Sequence, residues 1–450
     1  MQKYADYTPA QAAWLDELPS HWQCTKIGAL FSERKSKVSD KDYAPLSVAR
    51  IGVVPQLATA VKTDAGDNRK LVCAGDFVIN SRSDRKGSCG VAKLDGSVSL
   101  INIVLTPRNG LSERYVHYLL RSQPFSEEYY RNGRGIVADL WTTRYSEMKS
   151  ILLPVPPREE QDQIVRFLDW KVSNINKLIR IRKRQIEELE AIKRSSIGYL
   201  VMGQAQSIPQ RDTEVNWVKT IPAHWNEKTL IQVAEEQQIK NAGMVEDNLL
   251  SLSYGKIINK DINTTDGLLP SSFEGYQIVH DGNIILRLTD LQNDHKSLRT
   301  GLVTQTGIIT SAYTCLKVRH NILPEYLQLQ LHVADLCKVF YGMGGGVRQS
   351  IGFTEIRKLV IAIPPVEEQQ YILDRVHGIE KPINCAIQNI RDIIAGLEDL
   401  KTRLISDAVT GKIDVRGIEI PEYEFVDEDT DADNEDDGEE DTEEQEGAEE

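Results

Sequence analysis

The segment PPREEQDQIVRFLDWKVSNINKLIRIRKRQIEELEAIKRSSIGYLVMGQ, from Pro156 to Gln204, decides the fold of this chain. Its apolar residues recur in steps of three and four, which is typical of a helix that packs against another helix. PPVEEQQYI begins 208 residues later, at Pro364, and the apolar residues that follow it keep the same phase. The sequence therefore contains an internal repeat that predicts two long paired helices. The predicted pairing positions are Leu168, Val172, Ile175, Ile179, Ile186 and Leu189 in the first helix and Val376, Ile383, Ile387, Ile390, Ile394 and Leu397 in the second.

Each predicted helix has the same start signal. Two prolines end the preceding segment, and the acidic pair Glu159 and Glu160, or its counterpart at 367 and 368, suits the positive end of a helix dipole. A helix of roughly 44 residues would be about 65 Å long, which favours a spacer or arm. Pro382 predicts a kink or a split in the second helix.

Composition limits the class of protein. The chain has 450 residues and 40% apolar content, enough for two or more domains. It has no apolar run of about 18 residues, and its start, MQKYADYTPAQ, does not resemble a signal peptide, so we expect a soluble cytoplasmic protein with no membrane partner. The cysteines form no CxxC pair and no cluster with histidine, so we expect neither a metal nor a disulfide framework.

The net charge of −14 comes from the C-terminus. Residues 422–450 hold 18 acidic and no basic residues, which leaves 53 basic against 49 acidic residues in the body. We expect the end of the chain to be a disordered acidic extension, because it has too few apolar groups to fold. It is interpreted as a solubilising tail or as a competitor for a basic DNA-binding groove.

A second repeated phrase lies ahead of each long helix. WLDELPSHW, Trp14 to Trp22, returns as WVKTIPAHW, Trp217 to Trp225. We call these the Trp-His motifs. Each histidine stands alone beside a tryptophan, so a structural role is favoured over a metal or catalytic one. Repetition of this kind indicates a repeated structural unit.

Each Trp-His motif precedes about 130 residues of short apolar and β-branched runs broken by turns, which predict α+β units. KLVCAGDFVINSR (70–82) and YQIVHDGNIILRL (276–288) predict a turn followed by a strand. Helices are predicted at 114–125 and 324–336. Both regions end alike, in YSEMKSILLPVPP and FTEIRKLVIAIPP, while the sequence between these framing phrases differs almost completely.

This pattern resembles the DNA-specificity subunit of type I restriction-modification systems, over residues 14 to about 417. The resemblance implies an α+β fold of two pseudo-symmetric halves, each a target recognition domain followed by a long helix, with the helices paired as an antiparallel coiled coil. The predicted domains are 1–155 (target recognition domain 1), 156–206 (central helix), 207–363 (target recognition domain 2), 364–417 (C-terminal helix) and 418–450 (disordered acidic tail).

The resemblance also implies the partners. They are double-stranded DNA, two modification (methyltransferase) subunits docked on the helices, and ATP-dependent restriction subunits. Because the two variable regions differ, the bipartite DNA target is expected to be asymmetric, and the helices are expected to set the distance between its halves.

Candidate DNA-binding residues lie on polar loops, where lysine and arginine can reach phosphates and Arg, Asn, Gln, Ser and Thr can reach base edges. Any one of them is more often an ordinary surface residue, so only the clusters count. They are Arg82, Arg85, Lys86, Arg134, Thr143 and Arg144 in the first region and Arg287, Gln292, Asn293, Lys296, Arg299, Arg348 and Gln349 in the second.

The chain shows no signature of an enzyme. GMGGGV at 342–347 is not GxGxxG, and there is no GxxxxGK[ST], no Asn-Pro-Pro-aromatic motif and no nuclease-like set of carboxylates and lysine. We therefore expect no cofactor and a non-catalytic subunit, with methylation and cleavage supplied by partners. The alternative hypothesis is a coiled-coil scaffold or DNA mimic that acts through its acidic tail.

Overall fold

A computed structural model of the chain describes residues 2–57, 66–82, 85–108, 111–135, 141–205, 208–262, 270, 272–291, 294, 297–319, 321–343 and 351–427. Contacts divide these residues into a first unit (2–185 and 389–427) and a second unit (186–388). The division falls inside both long helices, so each unit holds a sheet region and one part of each helix. The domain limits predicted from the repeat remain predictions.

The first half of the chain alternates short strands with short helices before its long helix. Its strands are β1 (Tyr7–Pro9), β2 (Glu17–Pro19), β3 (Gln23–Lys26), β4 (Phe31–Glu33), β5 (Lys37–Val38), β6 (Leu46–Ala49), β7 (Gly52–Pro55), β8 (Arg69–Val72), β9 (Phe77–Asn80), β10 (Cys89–Val91), β11 (Gly96–Val98), β12 (Asn102–Pro107) and β13 (Leu152–Val155). Its helices are α1 (Ile27–Leu30), α2 (Glu113–Arg121), α3 (Gln123–Arg131), α4 (Tyr145–Met148) and α5 (Arg158–Val201).

The second half repeats this order. Its strands are β14 (Gln210–Asp212), β15 (Thr220–Pro222), β16 (Asn226–Thr229), β17 (Ala234–Glu236), β18 (Ile239–Lys240), β19 (Leu250–Ser253), β20 (Lys256–Asn259), β21 (Gln277–Val279), β22 (Ile284–Leu286), β23 (Thr300–Leu302), β24 (Gly307–Ile309), β25 (Thr314–Val318) and β26 (Val360–Ile363). Its helices are α6 (Leu230–Val233), α7 (Pro324–Leu336), α8 (Phe353–Ile356) and α9 (Val366–Val409), with a 3-10 turn at Phe340–Gly342.

The sheets of the two units correspond strand for strand. The four-stranded sheet β10-β9-β12-β4 of the first unit returns as β23-β22-β25-β17, and the three-stranded sheet β11-β8-β5 returns as β24-β21-β18. The hairpin β6-β7 returns as β19-β20, and the pairs β1-β2 and β3-β13 return as β14-β15 and β16-β26. These results confirm the predicted α+β fold of two pseudo-symmetric halves.

One predicted helix differs from the structure. The expected helix at 114–125 is two helices, α2 and α3, because Ser122 is extended (φ −63°, ψ 146°) and its hydroxyl donates to the carbonyl of Leu119. Pro124 has no N–H to continue α2, but it fits the first turn of α3.

The two long helices run antiparallel in each unit. In the first unit, Gln163 of α5 donates to the carbonyl of Val415, whereas Asn176, further along α5, contacts Lys401, which lies earlier in α9. In the second unit, Lys193 of α5 donates to Asn384 of α9. The end of α5 there shares a core with the start of α9, through residues such as Val201 and Ile372.

The predicted pairing positions differ in burial. Leu168, Val172, Ile175 and Ile179 are buried in the core of the first unit, and Ile394 and Leu397 are partly buried against it. The remaining positions divide into buried Val376 and Ile387 and half-buried Ile186, Leu189, Ile383 and Ile390. The helix α9 is continuous through Pro382, so the predicted split does not occur. Pro382 and Gly378, whose carbonyl loses its donor, are both exposed, so water can solvate that carbonyl.

The repeated PPxEEQ phrase locks each long helix to its sheet region. Gln161 accepts a hydrogen bond from the backbone N–H of Ser112 at 2.9 Å and donates to the carbonyl of Pro156 at 3.0 Å. Gln369 repeats both contacts, with Leu323 at 2.8 Å and Pro364 at 2.9 Å. A buried glutamine therefore satisfies a backbone N–H at the start of one helix and a backbone carbonyl just ahead of its own helix in each unit.

The Trp-His motifs complete this lock. His21 lies 2.8 Å from Glu160, and His224 lies 2.8 Å from Glu368, which supports the predicted structural role of both histidines. The motif of the first unit also packs on Gly411, just after α9. Gly411 has φ +76°, and a Cβ there would lie 2.5 Å from Cδ of Pro19.

In each unit a buried tyrosine joins the sheet region to the end of a long helix. The hydroxyl of Tyr115 lies 3.1 Å from the carbonyl of Pro154 and 3.2 Å from that of Val409. In the second unit, Tyr326 lies 3.2 Å from the carbonyl of Val201. The same kinds of contact thus join the sheet region to both long helices in each unit.

Of the predicted tail, residues 428–450 lie outside the described residues. Residues 418–427 are described and lie along α5 in the first unit. The carbonyl of Glu424 accepts from Ser173 Oγ at 2.9 Å, and the carbonyl of Val426 accepts from Asn176 Nδ2 at 3.2 Å. Among the described helices, none has both the length and the apolar content needed to cross a bilayer.

Candidate nucleic-acid interface

Three separate segments of the first unit meet at the edge of its four-stranded sheet. Arg82 follows β9, Arg134 follows α3, and both form isolated backbone bridges to Thr142. The next residue, Thr143, donates its N–H to the carbonyl of Ser81 at 2.9 Å. The structure therefore brings together candidates that are separated by up to 61 positions in the sequence.

Two tyrosines of α3 and one tryptophan hold these three segments together. The hydroxyl of Tyr129 donates to the carbonyl of Thr143 at 3.0 Å, and Tyr130 Oη lies 3.4 Å from the carbonyl of Arg82. Trp141 donates its indole N–H to the carbonyl of Tyr130 at 2.8 Å. Burial raises the pKa of Tyr129 well above its ordinary value, so this hydroxyl remains a donor.

The candidate side chains of the first unit fall into two groups. Thr143 is fully buried, and its hydroxyl donates to the carbonyl of Tyr129 at 3.0 Å, so it positions the junction and does not face solvent. The basic candidates are exposed, and the ammonium group of Lys86 lies 5.6 Å from the ring centre of Tyr130. These exposed residues form what we call the basic junction: Arg82, Arg85, Lys86, Arg134 and Arg144.

Sequence reasoning missed Arg50 at the tip of the β6-β7 hairpin. It is exposed, and its Cγ lies within 4.0 Å of a Cβ placed on Gly87, in the loop that carries Arg85 and Lys86. The guanidinium of Arg121 holds the carbonyl of Arg50. Gly52, which follows the turn and has φ +121°, was the available signal for this tip, but its neighbour Gly87 is distant in the sequence.

The second unit builds its sheet edge in the same way. Ile351 donates its N–H to the carbonyl of Leu288 at 3.0 Å, as Thr143 does to Ser81. The hydroxyl of Tyr341 donates to the carbonyl of Asp294 at 3.2 Å, just as the hydroxyl of Tyr130 approaches the carbonyl of Arg82. Lys338 lies 4.5 Å from the ring centre of Tyr341, as Lys86 lies over Tyr130.

The candidates of the second unit do not share one environment. Arg287 is half-buried, whereas Arg299 is completely buried. The backbone N–H of Arg299 donates to Oδ2 of Asp335 at 2.8 Å. Burial raises the pKa of Asp335, and Arg299 acts in the opposite direction. The remaining candidates, Gln292, Asn293, Lys296, Arg348 and Gln349, lie outside the described residues.

An aromatic residue at this edge was also missed. Tyr254 lies at the tip of the β19-β20 hairpin and is 69% exposed, which is unusual for a large aromatic side chain. A Cβ on the next residue, Gly255, would lie 3.2 Å from Cβ of Leu298, so the tip contacts the loop that follows β22. An exposed aromatic beside a polar loop can stack on a base or a sugar.

The long helices expose a second kind of surface. In the first unit these residues are Leu178 and Ile181 on α5 and Ile393 and Leu400 on α9, each between 45% and 47% exposed. In the second unit Ile192, Tyr199 and Tyr371 are between 51% and 55% exposed. Several large apolar side chains exposed on the same pair of helices are typical of protein-protein contact surfaces. Within the described residues, no group of His, Cys, Asp and Glu is arranged to hold a metal ion.

Comparisons with known proteins agree with this geometry. Residues 300–394 match the family model described as the type I restriction modification DNA specificity domain. The chain is 23% identical over 431 residues to the putative type I restriction enzyme MjaX specificity subunit of Methanocaldococcus jannaschii, covering 89% of this chain and 96% of the relative. It is 21% identical over 426 residues to the type I restriction enzyme MjaVIII specificity subunit of the same organism, with coverage of 89% and 95%.

A solved structure shares the fold. It comes from work on the structural basis of complex assembly and conformational transition of the type I R-M system. The superposition has a TM-score of 0.60 at 14% identity and covers 88% of this chain and 99% of the solved one. The matched domain and the similarity over 89% of the chain agree, and this chain is similar to the specificity subunits of type I restriction-modification systems.

Proposed function

We propose that this chain is the non-catalytic subunit that reads an asymmetric bipartite DNA sequence and holds the methyltransferase and ATP-dependent restriction subunits of a type I complex. One observation carries the proposal. The two units repeat strand for strand, but their sheet-edge loops differ in length and sequence. A single framework used twice with two loop sets suits the reading of two different half-sites.

The basic junction of the first unit supports the DNA contact. Its exposed arginines and lysine come from three chain segments and lie beside the β6-β7 tip that carries Arg50. Clustered guanidinium groups on a rigid sheet edge can hold phosphates and can form bidentate bonds with guanine. Lys86 and Tyr130 add a cation and an aromatic ring to the same surface.

The exposed apolar residues of α5 and α9 support the docking of modification subunits. They are about half exposed in each unit, so they are available without opening either unit. Methyl transfer would then come from the docked subunits, while this chain sets the spacing of the half-sites through its long helices.

The test is a selection of bound sequences from random double-stranded DNA by the complete methyltransferase complex. The wild-type complex should enrich one split, asymmetric motif. Arg82→Met should relax base preference in one half only, by about 1–3 kcal/mol at each base pair it reads. Lys26→Met, which removes an exposed charge of the same unit on the β3-β13 pair and not in the loops of the junction, is the matched control. Equal relaxation of both halves would contradict separate readers.

The tail separates this proposal from the DNA-mimic hypothesis. A chain that ends at Asp427 keeps the contacts of Glu424 and Val426 with α5 but loses most of the acidic residues of the tail. We expect it to enrich the same motif as the full chain. Loss of activity with an unchanged fold would favour the mimic.

A further inference from the structure

The two sheet-edge loops are equivalent in register but unequal in length. In the first unit, the N–H of Asn80 donates to the carbonyl of Ser88 at 3.0 Å and closes the first loop, residues 81–87. In the second unit, the N–H of Arg287 donates to the carbonyl of Arg299 at 2.9 Å and closes the second loop, residues 288–298. Arg299 therefore occupies the place of Ser88, at the base of a loop four residues longer. A longer loop costs more conformational entropy to hold in one shape.

The side chain of Arg299 points into the second loop and is completely buried. Its Nη1 donates to the carbonyls of Arg287 at 3.2 Å and Thr289 at 2.7 Å. Its Nη2 donates to the carbonyl of Asp290 at 3.3 Å and to that of Asp294. One guanidinium thus holds four carbonyls of the loop and its base.

The same residue ties the loop to the helical side of the unit. Its Nε donates to the hydroxyl of Tyr341 at 3.0 Å, and that hydroxyl donates in turn to the carbonyl of Asp294. Its backbone N–H is held by Asp335 at the end of α7. The carboxylate of Asp294, 3.7 Å from Nη2, and that of Asp335 compensate the buried charge.

This arrangement leaves Arg299 no donor for DNA. A guanidinium has five N–H groups, and all five are directed at oxygens of the protein. A direct contact with a base or a phosphate would require breaking one of these bonds and opening the loop. The placement of Arg299 among the DNA-contacting residues, expected from its polar surroundings in the sequence, does not fit this geometry.

We propose that Arg299 is a positioning residue for half-site specificity: it fixes the backbone at 287–290 and 294 for reading one half of the DNA target and does not itself touch DNA. This inference rests on the proposed function. Lysine would be a poor substitute, because an ammonium group has three donors on one atom and cannot span carbonyls on opposite sides of a loop.

The experiment compares Arg299→Lys, Arg299→Met and Tyr341→Phe with the wild type in the complete methyltransferase complex. Tyr341→Phe keeps the ring and the buried guanidinium but removes the hydroxyl between Arg299 and Asp294, so it tests the same loop with less risk to folding. Arg82→Met in the first unit is the matched control. Two quantities are measured for each variant: amide hydrogen exchange of residues 288–298 without DNA, and discrimination against single mismatches in each half-site.

We expect faster exchange in residues 288–298 for all three variants, largest for Arg299→Met. Discrimination in one half-site should fall at least about tenfold for Arg299→Met and less for Arg299→Lys, with the other half-site unchanged. Arg82→Met should affect the opposite half-site and leave exchange in 288–298 unchanged. A direct DNA contact would instead lower affinity with no change of exchange in the free protein.

Three results would overturn the inference. They are unchanged loop exchange, unchanged discrimination in Arg299→Met and Tyr341→Phe, or equal losses in both half-sites. If the wild-type complex itself shows no bipartite preference, the proposed function fails first, and this outcome is distinguishable because it does not depend on any variant.

Discussion

Replacing Gly411 by alanine should destabilise the first unit by roughly 2–5 kcal/mol. Gly411 follows the end of α9, and its N–H and that of Lys412 bond back to the carbonyls of Ala408 and Asp407. Its φ is +76°, in the left-handed region that side chains rarely adopt. A methyl group there would lie 2.5 Å from Cδ of Pro19 and 3.2 Å from Cζ3 of Trp22.

Two costs contribute to this magnitude. Alanine in the left-handed region costs roughly 1–2 kcal/mol relative to glycine. Forcing a methyl group into the packed contact with Pro19 adds about 1–3 kcal/mol, because the proline ring belongs to β2 and cannot rotate away. For a unit of this size, the sum lowers the midpoint of thermal unfolding by at least roughly 4 °C.

Thermal unfolding of the purified chain, followed by calorimetry, measures the effect. Gly396→Ala is the matched control, since Gly396 lies inside α9 in the same unit and has nothing within 4 Å of a new Cβ. This change should stabilise the unit by about 0.5–1 kcal/mol through helix propensity. If both variants unfold like the wild type, the packing of the Trp-His motif on the helix end does not stabilise the unit, and the reasoning is refuted.

Three further predictions concern single groups. Burial and the neighbouring Arg121 lower the pKa of His117 to about 3, so below about pH 6.5 the unfolded chain binds a proton that the folded chain does not. The free energy of unfolding should therefore fall on the order of 1–2 kcal/mol between pH 7 and pH 5. Urea unfolding at each pH measures this fall, which should be less steep in His117→Gln. Ser173→Ala should lower the free energy of unfolding by about 1–2 kcal/mol, because the buried hydroxyl joins residues 424–426 to α5. Faster proteolysis of the C-terminal segment would show that this segment is released from α5. Burial raises the pKa of Cys89 to about 11 and that of Cys315 to about 12. A thiol-alkylating reagent at pH 7.5 should therefore label exposed Cys385 first. Rapid labelling of the two buried thiols in the folded chain would contradict their assignment to the core.

The repeated phrases allowed much of the framework to be predicted from sequence. PPREEQ and PPVEEQ predicted two long helices, and the structure explains the repetition, because Gln161 and Gln369 make the same pair of backbone contacts. The structural role of His21 was expected because the residue stands alone beside a tryptophan, with no second ligand or base near it in the sequence. Local sequence patterns are enough to predict a contact where both partners lie in repeated phrases.

The sheet-edge loops were less predictable, because their contacts depend on closure of the chain over long distances. Arg82 and Thr142 are adjacent only once β9 and the segment after α3 are in place. Arg299 lies in a run of polar residues that is typical of an exposed loop, yet it is completely buried, and carbonyls of residues 287, 289, 290 and 294 surround its guanidinium. Side-chain direction in such a loop is a tertiary property, and neither composition nor periodicity encodes it.

The most direct test of the central claim is single-molecule sequencing of methylated bases in DNA from cells with and without this gene, in the presence of the proposed modification partner. Two units with different loops predict that methylation disappears from one asymmetric split motif when the gene is removed. A motif that is symmetric or undivided would contradict two different readers. Methylation that persists without the gene would show that this chain does not direct its partner to DNA.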